Sequence, residues 1–217
     1  MPMCLTVDTF ILGPLGNNTY VLRGGAACTE CIVMDPGMGV GSLVRALRSG
    51  GLSPARVLLT HGHGDHMAGC EALRREWPGM AVAVHEADAG MLGDAALNVS
   101  ALYGLPFTIA PAEELLTAGQ VLEFAGEEIR VLPTPGHTPG GVSFYVPSIA
   151  TVFTGDALFA GSIGRTDTRF GDTAQLLAAI RDHLYTLPDT TRVLPGHGDE
   201  TTIGWEKRNN PYVTSDK

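Results

Sequence analysis

Three histidines and an aspartate fall within six residues, in Thr60-His61-Gly62-His63-Gly64-Asp65-His66. Imidazole nitrogen and carboxylate oxygen together are a donor set for Zn²⁺, Fe²⁺ or Mn²⁺. His61 and His63 stand two apart, so on an extended segment their side chains project to the same side. Gly62 and Gly64 let the backbone crowd around a small centre. A lone histidine on a core face is usually a hydrogen-bonded structural residue; this cluster on one Gly-rich loop reads as a metal site. Three more ligand-capable residues sit in similar settings. His137 lies in Pro135-Gly136-His137-Thr138-Pro139-Gly140, Asp156 in Thr154-Gly155-Asp156, and His197 in Pro195-Gly196-His197-Gly198. Each follows a strand-like run, and loops held by a rigid scaffold are where such sites are built. The two other histidines read differently: His85 as structural or supporting, His183 as a surface residue of a helix.

The elements that must position these residues show as short punctuated runs. Apolar and β-branched residues predict strands over 5–12, 19–23, 31–35, 56–60 and 80–85. Apolar residues at helical spacing predict a helix over 40–48, stopped by Gly50-Gly51, and another over 67–77, stopped by Pro78-Gly79. Residues 86–111 read as a helix followed by a long loop, a common place for a substrate-shaping element. The second half predicts a hairpin over 121–132, strands over 142–146, 150–154 and 192–194, and helices over 173–184 and 203–210. Two halves, each strands first and helix last, imply an α/β fold of two packed sheets with helices outside.

Composition narrows the function. The chain has 217 residues, 44% hydrophobic and 17% charged, which is globular and fits one domain over 1–217. A net charge of −9 with only 14 Lys and Arg argues against a phosphate-backbone partner. No run of roughly 18 apolar residues occurs, so no membrane span is expected. The start lacks a basic, apolar leader, which makes a cytoplasmic location the expectation. Four irregularly spaced cysteines do not suggest a disulfide framework, and Cys28-Thr29-Glu30-Cys31 reads as a turn between two strands rather than a redox pair.

On these residues the chain resembles the metallo-β-lactamase-fold hydrolases along essentially its whole length. Their HxHxDH signature stands as His61-x-His63-x-Asp65-His66, and the later His, Asp and His are His137, Asp156 and His197. Within that fold it is most similar to the compact type II glyoxalases, or hydroxyacylglutathione hydrolase-like proteins. The segments that carry this are Gly155-Asp156-Ala157-Leu158-Phe159, Gly161-Ser162-Ile163-Gly164-Arg165-Thr166-Asp167, and Pro195-Gly196-His197-Gly198. The resemblance implies an αββα sandwich with metals at one edge. It implies one metal on His61, His63 and His137, a second on Asp65, His66 and His197, and Asp156 bridging the two. Two divalent ions, zinc foremost with iron or manganese as alternatives, can hold a hydroxide between them at neutral pH. That hydroxide would attack a carbonyl, with Asp65 orienting the nucleophile. A thiolate, with a free pKa near ~8.5, leaves without a dedicated acid. The expected activity is therefore hydrolysis of a small-molecule thioester, S-acylglutathione or a related thiol ester, to thiol and hydroxy acid, by a monomer or homodimer.

Other readings compete. Persulfide dioxygenases resemble the chain in the ligand set and in Gly164-Arg165-Thr166-Asp167, yet use one Fe²⁺ and O₂. The chain departs from them at Pro195-Gly196-His197-Gly198-Asp199, where they show Ala-His-Asp-Tyr. The best-known zinc β-lactamases of the fold carry Cys in place of Asp156. A non-catalytic metal-binding interaction protein is disfavoured because all seven ligand positions are kept. Two-domain glyoxalases add a helical C-terminal domain that helps bind glutathione; only 20 residues follow His197, so that domain is not expected. Arg165 matches a basic position those enzymes use for glutathione, but Asp167 stands where they have Tyr. Arg165 thus reads either as a substrate-binding cation or as an ion-pair partner of Asp167. Lys207 and Arg208 read as a carboxylate site or a solvated face, and Tyr20 as cleft or core.

Overall fold

Alternation along the strands sends side chains to two faces, and each face finds its own core. The structure, a computed structural model, describes residues 5–213; Cys4 lies outside them. The first sheet runs in chain order: β1 (Thr6–Leu12), β2 (Asn17–Arg23), β3 (Glu30–Met34), β4 (Ser53–Leu58), β5 (Ala81–His85) and β6 (Glu114–Leu116). It is antiparallel through β3 and parallel from β3 to β6. Parallel neighbours need crossovers. The first two are α1 (Gly41–Ser49), and the pair α2 (Gly64–Met67) and α3 (Cys70–Glu76); the third runs from β5 to β6 through the stretch that starts at Glu86.

The second sheet contains β7 (Val121–Phe124), β8 (Glu127–Pro133), β9 (Val142–Val146) and β10 (Thr151–Gly155). A two-stranded ribbon, β11 (Leu158–Phe159) with β12 (Ser162–Ile163), precedes β13 (Arg192–Pro195) and β14 (Thr201–Thr202). The order is β14-β13-β10-β9-β8-β7, with β10 and β13 parallel. Their crossover is α4 (Thr173–Ala179), continued by a π-helical turn over Ile180–Leu184, and α5 (Ile203–Asn209) follows β14.

Leu22, Ile32, Met34 and Leu58 of the first sheet meet Val131, Phe144, Phe153 and Leu194 of the second. The opposite face of the first sheet, with Val21, Val33, Val57 and Val82, packs on Leu43, Leu47, Met67 and Leu73 of α1–α3. Tyr145, Val152 and Val193 do the same against Leu176, Ile180 and Ile203. This is the expected αββα sandwich. Among the described residues, no helix is long and apolar enough to cross a membrane.

Three expected helices differ in detail. The one over 67–77 is split at Gly69, whose N–H donates to the Pro36 carbonyl (2.8 Å). A Cβ there would overlap Val40 Cγ1 and lie 2.9 Å from the Pro36 and Gly37 carbonyls, so the close approach needs glycine. The one over 173–184 widens into its π turn. The stretch over 86–111 is a short 3₁₀ helix, Glu86–Gly93, followed by a loop. The short strands β6, β11, β12 and β14 carry too little pattern to be expected.

Candidate metal centre

β4, β8, β10 and β13 all deliver their C-terminal ends to one edge of the sandwich. β4 leads through Thr60 into His61 and His63, and α2 begins at Gly64. His137 lies between β8 and β9, Asp156 follows β10, and His197 follows β13. The two sheets are tied together at this edge. Asn18 of β2 donates its N–H to the Gly196 carbonyl (2.7 Å) and its Nδ2 to the carbonyls of Pro195 (3.0 Å) and Gly198 (2.8 Å). The Val142 N–H donates to the Thr60 carbonyl (2.9 Å), joining the His61 loop to the second sheet.

All seven ligand-capable residues come together. Their donor atoms form three groups, each within 4.8 Å: His61, His63, His137; Asp65, His66, His197; and His61, His66, Asp156. His137 Nε2 faces His63 Nδ1 at 2.9 Å. His197 Nε2 lies 3.1 Å from Asp65 Oδ2. Asp156 sits between the groups: Oδ1 is 3.3 Å from His66 Nε2, and Oδ2 is 3.6 Å from His137 Nε2. Close approach is secured by Gly196, where a Cβ would overlap Asp156 Oδ1 and lie 2.6 Å from His66 Cε1.

The rings are aimed by their other nitrogens. His137 Nδ1–H donates to the Arg165 carbonyl (2.7 Å) and His197 Nδ1–H to the Leu15 carbonyl (3.1 Å). A carbonyl only accepts, so in both rings Nε2 carries the inward lone pair. Thr60 Oγ1 gives its proton to Asp35 Oδ2 (2.7 Å), so His61 Nδ1–H donates to that hydroxyl (3.1 Å). His66 Nδ1–H donates to Asp35 Oδ2 (3.1 Å). Such partners fix tautomer and ring orientation at metal sites.

Electrostatics divide the set. Burial, then the neighbouring His66 and His63, hold His61 well below the usual imidazole range. Burial, then His137, bring His63 down to about 3. Burial also opposes charge on His66, but Asp156, Asp65 and Asp35 outweigh it and raise that imidazole well above its ordinary value. Burial raises the Asp156 and Asp65 carboxyls, yet His66 above all outweighs it in both, leaving them below the ordinary carboxylate value. A divalent cation requires neutral imidazoles and ionised carboxylates. His61, His63, Asp65 and Asp156 already favour those states, while the carboxylates around His66 favour its imidazolium, so His66 gives up a proton when an ion binds.

Two carboxylates escaped the sequence reading. Asp35, in a left-handed conformation (φ 48°) after β3, accepts from the Thr60 N–H (2.8 Å), the Thr60 hydroxyl and His66. Asp88, fully buried, accepts from the N–H of Gly62 (2.9 Å) and Gly140 (2.6 Å) and the Thr138 hydroxyl (2.7 Å). It ties the His61 loop to the His137 loop. Met34-Asp35-Pro36-Gly37 looked like an ordinary turn, and Asp88 lies on a segment of weak pattern. The one local signal was that Asp35, like the ligands, ends a strand beside glycine.

The remaining candidates fall into place. Arg165 lines the cleft and pairs with Asp167 (Nε–Oδ1 2.7 Å, Nη2–Oδ2 3.0 Å). Tyr20 is core: it packs on Phe153 and donates to the Pro195 carbonyl (2.7 Å). His85 Nδ1 caps the 3₁₀ helix by accepting from the Ala87 N–H (3.3 Å). His183 is half-buried rather than at the surface. Lys207 and Arg208 both reach Asp189. Cys28 and Cys31 are free thiols flanking the start of β3, as a turn requires, and burial pushes Cys31 up to about 12.

The donor set fits a bound cation. His61 Nε2, His66 Nε2 and Asp156 Oδ1 are buried without a hydrogen-bond partner and belong to one of the close groups. Orphaned buried polar atoms are costly, and a divalent ion satisfies all three lone pairs at once. Fold and site together define a two-sheet α/β protein with a His/Asp metal centre at its edge. Residues 12–197 match the family model described as the metallo-beta-lactamase superfamily, and the chain belongs to that family. Among its relatives is the probable metallo-hydrolase YqgX of Bacillus subtilis (strain 168), 38% identical over 93% of this chain and 94% of that protein. Another is the hydroxyacylglutathione hydrolase GloC of Haemophilus influenzae (strain ATCC 51907 / DSM 11121 / KW20 / Rd), 36% identical over 84% of this chain and 87% of its own length. The crystal structure of BLEG-1, a B3 metallo-beta-lactamase, superposes with a TM-score of 0.92 at 41% identity, covering 96% of this chain and all of that one. TTHA1623 in a di-iron-bound form superposes at 0.83 with 35% identity, over 95% of this chain and 100% of its own.

Proposed function

We propose that the chain is a binuclear metal-dependent thioester hydrolase of the glyoxalase II type. It would cleave an S-acylglutathione or related thiol ester with water to a thiol and a carboxylic acid. The observation that carries this reading is the shared position of Asp156, whose two oxygens face opposite ligand groups. Similarity to GloC and to a di-iron protein supports it. His61, His63 and His137 would hold one ion, Asp65, His66 and His197 the other, and Asp156 both; zinc and iron each suit these donors. Bound ions supply Lewis acidity and lower the pKa of a coordinated water.

The chain's own groups do the rest. Asp65, partly open to the cleft, accepts a hydrogen bond from the attacking water and so orients it. His137 and His197 keep their Nδ1 protons on carbonyls, so neither serves as a proton donor to the leaving group. A thiolate, with a free pKa near ~8.5, needs no such donor. Arg165 at the cleft wall offers a guanidinium to a substrate carboxylate. Similarity to BLEG-1 favours a second reading, β-lactam hydrolysis, in which an amide nitrogen must leave with a proton.

Elemental analysis of protein purified without added metal should give about two transition-metal ions per chain. Thiol release from S-D-lactoylglutathione should be observed, with no oxygen uptake on glutathione persulfide. About one iron per chain with oxygen uptake would turn the reading to a persulfide dioxygenase. Opening of a chromogenic cephalosporin without thioester cleavage would turn it to a β-lactamase.

A further inference from the structure

The cleft over the metal centre has two unlike ends. Its main volume, about 410 Å³, is lined away from the ligands by Phe159, Ser162, Ile163, Arg165 and Thr168, with Arg165 as the cation of that wall. At the other end it runs into a second cavity of about 190 Å³, whose wall is Leu12, Pro14, Leu15, Met38, Leu105 and Phe107. Leu15, Asp65 and Tyr103 line both, so the apolar cavity opens beside the metal ligands. Leu15, Leu102, Tyr103 and Leu105 are 46%, 70%, 48% and 52% exposed, large apolar surfaces gathered at this mouth. Apolar side chains exposed together around a cleft mark a binding site.

The cavity is preformed. One wall is the turn between β1 and β2, held by Gly13 and Gly16 at φ 71° and 64°. The other is the loop carrying Tyr103 to Phe107. Asn98 Nδ2 and Ser100 Oγ both donate to the Phe107 carbonyl (3.0 and 3.2 Å). The Asn98 carbonyl accepts from Gly64 N–H (2.8 Å), which anchors that loop to the start of α2.

We propose that this cavity takes an apolar acyl group of the substrate, and that the enzyme prefers thioesters of about four to six carbons over hydroxyacyl thioesters. The proposal rests on the thioesterase reading and names its substrate class. In the reaction the acyl C–S bond breaks and a C–O bond to water forms. The sulfur leaves as thiolate, and the two water protons go to solvent or to the thiolate. The opposite placement, thiol carrier in the cavity, is disfavoured by charge. Glutathione carries two carboxylates and an ammonium, while Asp65 supplies the only charge in the cavity lining. Desolvating those groups against leucine, proline and a carboxylate is costly. Arg165, Ser162 and Thr168 at the other end suit them. An engineered cavity of about 150 Å³ holds benzene, so this one has room for a chain of about six carbons. Asn17 and Ser100 also reach this wall, but Asn17 Oδ1 accepts from Thr19 and Ser100 Oγ donates to the Phe107 carbonyl, so a lactoyl hydroxyl placed among the apolar side chains would give up hydrogen bonds to water.

The test has a kinetic and a binding arm, both on metal-loaded protein. Glutathione thioesters of acetyl, butyryl, hexanoyl, decanoyl and D-lactoyl groups are compared by kcat/KM. Each methylene from acetyl to hexanoyl should gain about fourfold, decanoyl should gain nothing further, and D-lactoyl should fall below butyryl. In calorimetry the unreactive thioether S-hexylglutathione should bind at least tenfold tighter than S-methylglutathione. Leu105→Asp and Met38→Asp should each erase at least tenfold of the hexyl-over-methyl preference. Equal kcat/KM across chain length, or D-lactoyl preferred over hexanoyl, would overturn the proposal. No hydrolysis of any thioester, with the hexyl preference intact, would overturn the thioesterase reading and leave the cavity assigned to an apolar ligand.

Discussion

The loop between β4 and α2 and the three strand ends of the second sheet build one centre by different means. The loop brings His61, His63, Asp65 and His66 as neighbours in the chain, and buried carboxylates hold it. Asp35 carries Thr60 and His66, and Asp88 carries Gly62. The second sheet brings His137, Asp156 and His197 from far apart; the carbonyls of Arg165 and Leu15 aim the two rings, Gly196 leaves room for them, and Asp88 and Asn18 hold the loops that carry them. The first half is therefore vulnerable to changes in side chains that touch no ligand position in sequence. The second half is vulnerable where a side chain is added at Gly196, and its ring-aiming contacts survive truncation of Arg165 or Leu15, whose carbonyls remain.

The largest effect should come from the residue where the halves meet. Asp156→Ala should lose close to both ions per chain and at least 1000-fold in turnover, whereas His66→Ala should lose about one ion. Metal content by elemental analysis checks this, and equal loss of one ion in both variants would dissolve the bridging assignment. Next is the carboxylate support of the first half. Asp35→Ala strands the Thr60 N–H, the Thr60 hydroxyl and His66 Nδ1 in a buried setting. It should cost about 2–4 kcal/mol of stability on the scale of buried unsatisfied groups. It should also weaken metal binding about 10–100-fold, read by denaturant unfolding and by competition with a chelator. Loss of stability with unchanged metal affinity would remove Asp35 from the centre.

The smallest effect tests a main-chain contact of the second half. Arg165 holds His137 through its carbonyl, which Arg165→Ala keeps. That variant should retain its metal and its Tm, and raise KM several-fold for an anionic thioester with little change in kcat, since remote binding acts equally in ground and transition states. A neutral thioester should be nearly unaffected. Equal loss on both substrates would reduce Arg165 to a partner of Asp167.

What could be read along the chain was set by short range. Ligand type, glycine spacing and strand-to-helix punctuation are local, so His61 to His66 announced a metal site. The Pro-Gly settings of His137 and His197 marked strand ends, and the hairpin over 121–132 also lay in the sequence pattern, though its turn falls at Ala125-Gly126, both at positive φ, one residue before Gly126-Glu127. The split at Gly69 did not, because it depends on Val40 and Pro36 of another segment. Nor did the roles of Asp35 and Asp88, which consist of hydrogen bonds to residues 25 to 52 positions away. Arg165 keeps both of its readings, since its guanidinium lies against Asp167 and also lines the cleft. The sequence by itself determined which atoms could bind a cation and that they stand at strand ends. The tertiary structure decided that they converge, because ligation and hydrogen bonding act over about 3 Å, and only the order β13-β10-β9-β8 and the packing of two sheets bring residues so distant in the chain within that reach.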